Sequence, residues 1–353
     1  MNCGKLTESI YERSVVKVVK TNSTENRKYY DGAGLGADCA ILTGNAGEEC
    51  AGSVSGQALA SGRDKKVIVR AYLAAVNQVT ACSANGDALG LHCVYANVTV
   101  MVPGKMREIK VRGMIEEASV QAEETGIPIL SCNVQVLQTV TEPVVTCVVN
   151  AGLEKTCDSN LVVLGKRALV DEDIVMTKWL GLEGTAVIAQ GSFDVLAKRY
   201  PADLVAEAAD FYRYLSVVPE AATAVKSGAD YLHVVREGGV FGGLWELAAA
   251  NGVGLVVDLK RIPVRQETIE ICEFYDLNPY ELSAGGSLLI VTPNGGELVH
   301  RLADSGVPAA VIGRTVQGND RIIRHGEESR FLEPANGDQL YTYYQKNENG
   351  GSY

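Results

Sequence analysis

Segments typical of strands and of helices alternate along most of this chain. In the first half, apolar side chains recur at helical spacing over residues 64–82, and residues 91–102 are rich in Val, Tyr and Thr, as strands are. The same alternation resumes over residues 174–312. Chains that alternate in this way bury one face of each element against another layer, so the sequence predicts α/β or α+β layers in both halves.

The length of the chain predicts two domains. At about 150 residues per domain, 353 residues are enough for two units that each bury a core. The segment 158–168 looks like the crossing between them. We therefore expect an N-terminal domain over residues 1–157, a C-terminal domain over residues 158–334 and a C-terminal tail over residues 335–353.

Charge and cysteine usage exclude several classes of function. The net charge of −11 disfavours a nucleic-acid or anionic-membrane partner. No uncharged run reaches the ~20 apolar residues of a membrane helix, and Lys5, Glu8 and Glu12 break up any leader-like start. The nine cysteines include no C-x-x-C pair, so neither a zinc-knuckle metal site nor a dithiol redox motif is expected. We expect a cytoplasmic protein with reduced thiols.

A glycine-rich turn over residues 32–38 is the first candidate site. Its sequence is Gly-Ala-Gly-Leu-Gly-Ala-Asp, with Gly34, Gly36 and Asp38. Glycines let backbone N–H groups approach a phosphate, and a neighbouring carboxylate can hold Mg²⁺. A plain turn explains the same residues, because glycine is a common turn residue. Both interpretations stay open at this point.

A second glycine-rich stretch over residues 237–245 opens a predicted helix. Glu237, Gly238 and Gly239 follow Arg236, and such a helix start can receive phosphate. Close packing of the helix on a sheet explains the glycines equally well. The chain has no G-x-S-x-G nucleophile elbow, and its four histidines stand at unrelated spacings, so a serine hydrolase and a histidine metal cage are not expected.

The order of several short motifs resembles the family of AIR synthase, thiamine-monophosphate kinase, selenophosphate synthetase and HypE. The resemblance covers roughly residues 4–334. The motifs are Gly-Lys-Leu at 4–6, Gly-Leu-Gly-Ala-Asp-Cys-Ala at 34–40, Val-Asn-Gln-Val at 76–79, Thr-Gly-Ile-Pro at 125–128, Lys-Trp at 178–179, Glu-Gly-Thr at 183–185, Glu-Gly-Gly-Val-Phe-Gly at 237–242, Asn-Pro-Tyr at 278–280 and Pro-Ala-Ala-Val-Ile-Gly at 308–313.

The resemblance implies a two-domain PurM/HypE-like fold and a reaction class. Strands of the N-terminal domain would pair with those of a second copy to form a β-barrel at a homodimer interface. Mg-ATP would be used to phosphorylate an amide-like oxygen. The positions that would contact nucleotide are Lys5, Gly34, Gly36, Asp38, Asn77, Asn133, Gln135, Arg236, Glu237, Gly238 and Gly239.

The chain departs from the family pattern at its acidic positions. The family's paired acids are reduced to Ala37-Asp38, its Asn-Asp becomes Asn77-Gln78, and its His-Asp-x-Thr-Glu-Gly-Gly carries Arg236 instead of Thr. Mg²⁺ needs carboxylate oxygens in addition to those of phosphate, and amides do not balance its charge. Asp38 alone would then bind a metal ion only weakly. Arg236 is either a phosphate clamp or a solvated surface arginine.

We therefore expect a divergent member with a degraded Mg-ATP site. It would be a weak nucleotide binder or a pseudoenzyme scaffold, either a homodimer or a heteromer with an intact homologue. The alternative is an active ATP-dependent enzyme that uses Asp38, Arg236 and Glu237. A small-molecule-binding dimer is a third hypothesis. HypE-like proteins carry a reactive cysteine at the C-terminus, whereas the last cysteine here is Cys272, so carbamoyl chemistry is not expected.

Overall fold

The computed structural model describes residues 8–16, 30–31, 40–43, 52–85, 91–153, 168–335 and 337–348. These residues form two compact units. The described residues between 30 and 153 form the N-terminal unit, and residues 8–16 join residues 168–348 in the C-terminal unit. Each unit combines helices with its own sheet, which confirms the predicted mixed α/β class.

The N-terminal unit is built on a mixed sheet whose described strands have the order β1-β2-β3-β6-β4-β5. Most neighbours are antiparallel, but β4 and β5 are parallel and are joined by a helix that crosses over. The elements are β1 (Tyr30–Asp31), β2 (Ala40–Thr43), β3 (Gly52–Ser61), α2 (Val67–Asn85), β4 (Leu91–Pro103), α3 (Glu108–Thr125), β5 (Ile129–Leu137) and β6 (Val144–Leu153).

Helix α2 forms the core of this unit. It crosses β3 at Gly56, where a Cβ atom would lie 2.9 Å from Val79 Cγ2 and 3.0 Å from the Ala75 carbonyl oxygen. Only glycine permits this close approach of helix and strand. Residues 67–84 are long and apolar enough to cross a membrane by composition alone, but 72% of them are buried in the fold, as in a core helix.

The C-terminal unit has a second mixed sheet, in which the described strands have the order β13-β12-β9-β11-β7-β10-β8. Its elements are α1 (Glu8–Tyr11, continued by a π-helical turn, Glu12–Val16), β7 (Asp173–Thr177), α4 (Leu182–Gly191), α5 (Phe193–Leu196), α6 (Ala202–Ala209), α7 (Val218–Lys226), β8 (Tyr231–Val234), α8 (Gly239–Asn251), β9 (Gly254–Asp258), α9 (Gln266–Tyr275), β10 (Leu288–Thr292), α10 (Gly295–Asp304), β11 (Ala309–Val316), β12 (Arg321–His325), β13 (Glu328–Phe331) and α11 (Gln339–Glu348).

The core of the C-terminal unit lies between this sheet and α8. Strand β10 is buried along its whole length, and Leu289 and Val291 pack in one cluster with Leu244 and Leu247 of α8. A central strand that is covered on both faces reads as a continuous apolar run, which is why residues 288–291 were recognisable in the sequence. This core fixes the start of α8, where the second glycine-rich stretch lies.

The structure adds elements that the sequence did not predict. Strand β3 is made of small and polar residues, yet it pairs with β6 over its full length, from Gly52 opposite Leu153 to Ser61 opposite Val144. Residues 182–196 form two helices rather than one continuous helix, because the chain leaves the helical conformation at Ser192. Part of the segment set apart as a tail is α11, which is anchored by a 2.7 Å hydrogen bond between Tyr343 OH and Ser192 Oγ.

Candidate functional site

The second glycine-rich stretch forms a tight turn between β8 and α8. Gly238 and Gly239 both have left-handed backbones, with φ angles of 80° and 62°. A Cβ atom on Gly239 would lie 2.5 Å from the Tyr280 carbonyl oxygen and 2.8 Å from that of Leu282. The backbone conformation and the space both require glycine here. The close-packing interpretation therefore explains Gly239 without a ligand.

The first N–H groups of this turn are paired within the chain. The N–H of Gly238 donates to Asp338 Oδ2 over 2.7 Å, and that of Gly239 donates to the carbonyl of Arg236 over 3.1 Å. Asp338 also accepts from Ser283 Oγ at 2.7 Å and from the N–H of Leu340 at 2.8 Å. A carboxylate of the chain itself thus lies at the start of α8, where we had considered a phosphate.

Asp338 is almost completely buried, and this shapes its titration. Burial raises the pKa of Asp338 to about 6, the N–H and hydroxyl donors partly oppose the rise, and the charge of Glu237 adds to it. In the unfolded chain the group returns to an ordinary pKa near 3.8. Between these values the folded protein binds more protons than the unfolded chain, so the contribution of Asp338 to stability falls as pH rises.

We therefore expect the free energy of unfolding to gain about 1–1.5 kcal/mol from Asp338 when the pH is lowered from about 8 to about 5. The measurement is urea unfolding of the wild type and of Asp338→Asn at several pH values. The asparagine keeps an acceptor for Leu340 but does not titrate, so the difference in stability between the two proteins should change with pH by this amount. Parallel pH profiles would contradict the assignment.

Arg236 lies in the same turn, directly before Glu237. Its side chain is half-buried, and no carboxylate of the described residues forms an ion pair with it. Its backbone is fixed, because the carbonyl oxygen accepts from the N–H groups of Gly239 and Ala284 at 3.1 and 3.3 Å. Glu237, which follows, is also half-buried. A half-buried guanidinium without a carboxylate partner among the described residues is suited to hold a phosphate or carboxylate oxygen.

Three predicted site residues lie in the N-terminal unit. Asn77 is buried on α2, and it has an interaction partner. Asn133 and Gln135 are exposed on β5, where they lie opposite Thr99 and Met101 of β4. Because they are two residues apart on a strand, Asn133 and Gln135 share one face of the sheet. All three positions carry neutral amides, which donate and accept hydrogen bonds but do not balance a cation.

The remaining predicted positions, Lys5, Gly34, Gly36 and Asp38, lie outside the described residues. Within the part of the chain that the structure describes, no group of three or more His, Cys, Asp or Glu side chains could hold a metal ion. The predicted contribution of Asp38 to a metal site stays a prediction.

A buried ion pair next to the turn was not anticipated from the sequence. Lys178 Nζ lies 2.6 Å from Glu220 Oε1 and also donates to the carbonyls of Tyr214, Ser216 and Gly286 at 2.8, 2.6 and 2.9 Å. Burial lowers the pKa of Lys178 and raises that of Glu220, while each charge opposes the shift of the other. The pair holds the end of β7 against two loops. The motif Lys-Trp marked the position, but nothing in it signals burial.

Comparison with known families supports a relationship in the C-terminal unit. Residues 170–326 match the family described as AIR synthase related protein, C-terminal domain. Carbamoyl dehydratase HypE of Rhizobium leguminosarum bv. viciae is 27% identical over 176 residues, which are 44% of this chain and 49% of the relative. The match thus spans about half the length of that protein.

Solved structures extend the similarity in fold to most of the chain. The crystal structure of a HypE–HypF complex aligns with a TM-score of 0.65 at 14% identity and covers 91% of this chain and 99% of the solved one. Hydrogenase maturation protein HypE in complex with ATP aligns with a TM-score of 0.61 at 17% identity, over 78% of this chain and 84% of the other. At these identities the likeness describes the fold.

Proposed function

Because this chain is an AIR synthase-related protein of HypE-like fold, we propose that it is a weak nucleotide binder that does not depend on Mg²⁺. It would act as a pseudoenzyme, that is, as a scaffold or regulatory subunit rather than as a catalyst. The half-buried guanidinium of Arg236, which no described carboxylate neutralises, carries this proposal. A related protein of the same fold has been solved with ATP.

The argument rests on how a polyphosphate charge is balanced. A triphosphate is normally held through Mg²⁺, which is bound by carboxylates and phosphate oxygens. In this chain Gln78 offers an amide where the family pattern has a carboxylate, and Asn77, Asn133 and Gln135 are neutral amides as well. A guanidinium supplies a fixed positive charge and two parallel donors without a metal. We propose that Arg236 takes over this role, with Lys5 near the start of the chain and Gly34, Gly36 and Asp38 of the glycine-rich turn as further candidates.

The hydrogen bond from the Gly238 N–H to Asp338 supports the weak nucleotide affinity that we propose. In a helix start that binds phosphate, backbone N–H groups point at the ligand. Here the N–H of Gly238 is taken by the Asp338 carboxylate, and Glu237 adds a second negative charge nearby. Both features oppose a bound anion at the start of α8. The side chain of Arg236 is then the main attraction for phosphate.

We expect Arg236→Ala to weaken ATP binding at least tenfold, because a hydrogen bond between charged groups contributes about 1.5–3 kcal/mol. The measurement is calorimetric titration of the full chain with ATP. The matched control is Arg261→Ala, which removes an exposed arginine of the same unit that pairs with Asp258 at 3.7 Å. Its ATP affinity should stay within twofold of the wild type. Equal affinities of wild type and Arg236→Ala would refute the role of Arg236.

We also propose that the chain forms a homodimer through the sheet of its N-terminal unit. One face of this sheet is covered by α2, but side chains of the other face are exposed or half-exposed, among them Leu59, which is 48% exposed, and Met101. Strand β5 forms the edge of the described sheet, and all its residues except the two at its ends are exposed. This face mixes polar side chains such as Thr99 and Asn133 with exposed apolar ones such as Leu59, and its edge is unpaired among the described strands. Such an edge favours pairing with another chain, and the family resemblance indicates a second copy.

We expect Leu59→Lys to convert a dimer into a monomer in sedimentation equilibrium, since the change places a charge on the open face. Ile109→Lys is the control, because Ile109 is an equally apolar residue that is 66% exposed on α3. It should leave the dimer intact. A wild type that sediments as a 37.6 kDa monomer at all concentrations would refute the proposal.

The proposed regulatory role also indicates a protein partner for this chain. A regulatory role calls for a catalytic partner, and an intact homologue of the same fold is our candidate; the solved HypE–HypF complex shows that a protein of this fold forms a heteromer. The net charge of −11 supports a protein without a nucleic-acid or anionic-membrane partner, and we keep the cytoplasm as its proposed location.

A further inference from the structure

A groove of about 590 Å³ lies at one end of the sheet in the N-terminal unit. It is bordered by the ends of the parallel strands β4 and β5, by the start of α3 and by the turn that follows β5. Its lining residues are Arg63, Pro103, Gly104, Lys105, Met106, Arg107, Lys110, Leu137, Gln138, Val140, Thr141 and Pro143. The volume is in the range of small-molecule sites, and the ends of parallel strands are a common place for them.

The groove collects positive charge in an acidic protein. Lys105, Arg107 and Lys110 form no ion pair with any residue that the structure describes. Arg63 has only a loose contact, with Nε 4.0 Å from Glu142 Oε2. The negative groups near this rim are Glu142 and the exposed Glu108.

Three of the four other described cations of this unit are paired, whereas Lys65 is exposed and forms no ion pair with a described residue. Arg70 lies 3.0 Å from Asp64, Lys66 lies 2.5 Å from Glu117, and Arg112 lies 2.8 Å from Glu116. Apart from Lys65, the cations of this unit that lack a close ion pair among the described residues therefore lie at the groove. Like charges repel, so such a concentration is unfavourable unless an anion lies between them.

The N-terminal end of α3 makes this concentration of cations more unfavourable when no ligand is bound. Helix N-termini carry a partial positive charge and favour acidic residues. Here Glu108 supplies one acidic residue in the first turn, but Arg107 occupies the N-cap position, no side chain caps the helix, and Lys105 and Lys110 are close by in the chain. Local choices that conflict with the fold are expected at functional sites. A bound anion would satisfy the helix end and the cations together.

The floor of the groove is apolar. Pro103, Met106, Leu137, Val140 and Pro143 contribute to it, and Pro143 is buried. A simple inorganic ion would leave this surface in contact with water. A ligand with an apolar body beside its charged group would bury it, which contributes about 25 cal/mol for each Å² removed from water.

We propose that this groove binds an organic phosphate, that is, a phosphate monoester on an apolar body. The phosphate would lie between the side chains of Arg107, Lys105 and Lys110 at the start of α3, and the organic part would lie on the apolar floor. Arginine matches phosphate in a bidentate geometry, and the helix end adds to the attraction. The groove shares no residue with the turn of Arg236, so the inference is independent of the function proposed above.

The probe is phenyl phosphate, titrated into the full-length chain by calorimetry. We expect binding at submillimolar concentration, at least tenfold weaker binding of inorganic phosphate and of benzoate, and none of phenol. Inorganic phosphate tests the need for the apolar body, benzoate distinguishes a carboxylate from a phosphate, and phenol tests the need for charge. Binding of phenol as tight as that of phenyl phosphate would overturn the proposal, as would benzoate that binds equally well.

Variants locate the site. Arg107→Ala combined with Lys110→Ala should weaken phenyl phosphate at least tenfold, and Lys105→Ala alone should weaken it severalfold. Arg112→Ala, which removes the same type of charge from α3 outside the groove, should change the affinity by less than twofold. All these side chains are exposed, Arg112 included, so the variants should unfold at the temperature of the wild type. An unchanged affinity in the double variant, or no binding of phenyl phosphate to the wild type at 5 mM, a concentration at which a site with a Kd of about 1 mM is mostly filled, would overturn the proposal.

Discussion

Lys178→Met should destabilise the C-terminal unit by about 3–5 kcal/mol, because it leaves a buried carboxylate without its partner. Glu220 is fully buried, and its Oε2 has no hydrogen-bond partner among the described residues. Without Lys178 the carboxylate keeps only weak neutral donors, such as Thr177 Oγ1 at 3.5 Å from Oε1. The substitution also leaves the carbonyls of Tyr214, Ser216 and Gly286 without the donor that joins them. The measurement is urea unfolding followed by circular dichroism and tryptophan fluorescence, since Trp179 is the next residue.

Two further variants separate the charge effect from loss of packing. The double variant Lys178→Met with Glu220→Gln removes the uncompensated charge and should recover part of the stability. Arg301→Met breaks the exposed pair with Glu297, which lies 2.6 Å away on the same helix, and should cost less than about 0.5 kcal/mol. A loss below about 1 kcal/mol in Lys178→Met would contradict a charged pair, since it would mean that Glu220 is already neutral when buried.

Gly239→Ala should lower the free energy of unfolding by about 2–4 kcal/mol. The left-handed backbone contributes about 1–2 kcal/mol of this, and the clash with the carbonyls of Tyr280 and Leu282 contributes the rest. The chain offers a matched control in Gly252, which has a φ of 66° but no atom within 4 Å of its would-be Cβ. Gly252→Ala should lose only the backbone contribution, about 1–2 kcal/mol. Equal losses in the two variants would show that the start of α8 is not closely packed.

The regular elements could be predicted because their residues follow a period. Helices α2 and α3 repeat apolar residues at helical spacing, and β4 is rich in β-branched side chains, so each was recognisable within a few residues of its bounds. Strand β3 was missed because a sequence such as Gly-Ser-Val-Ser-Gly-Gln-Ala-Leu-Ala-Ser has low strand propensity, and its strand conformation depends on pairing with β6. Helix α11 was missed for a related reason, since its burial depends on the contact of Tyr343 with Ser192.

The candidate site could be located but not understood from the sequence. Periodicity and glycine spacing marked residues 236–239, and their turn indeed lies at a helix start. The partner of Gly238 could not be foreseen, because Asp338 is 100 residues further along the chain and lies in a segment that we had set apart as a tail. Lys178 was quoted only as part of a motif, since lysine is usually exposed and its burial is decided by distant carbonyls and Glu220.

Titration of the full chain with ATP, first in EDTA and then with excess Mg²⁺, decides whether the nucleotide site has lost its metal. If Arg236 has replaced the cation, the dissociation constants in the two buffers should agree within about threefold, a difference of less than 1 kcal/mol, and no ADP should accumulate. Affinity more than tenfold tighter with Mg²⁺, together with release of ADP, would instead show an active ATP-dependent enzyme whose metal ligands include Asp38 or other residues outside the described part of the chain.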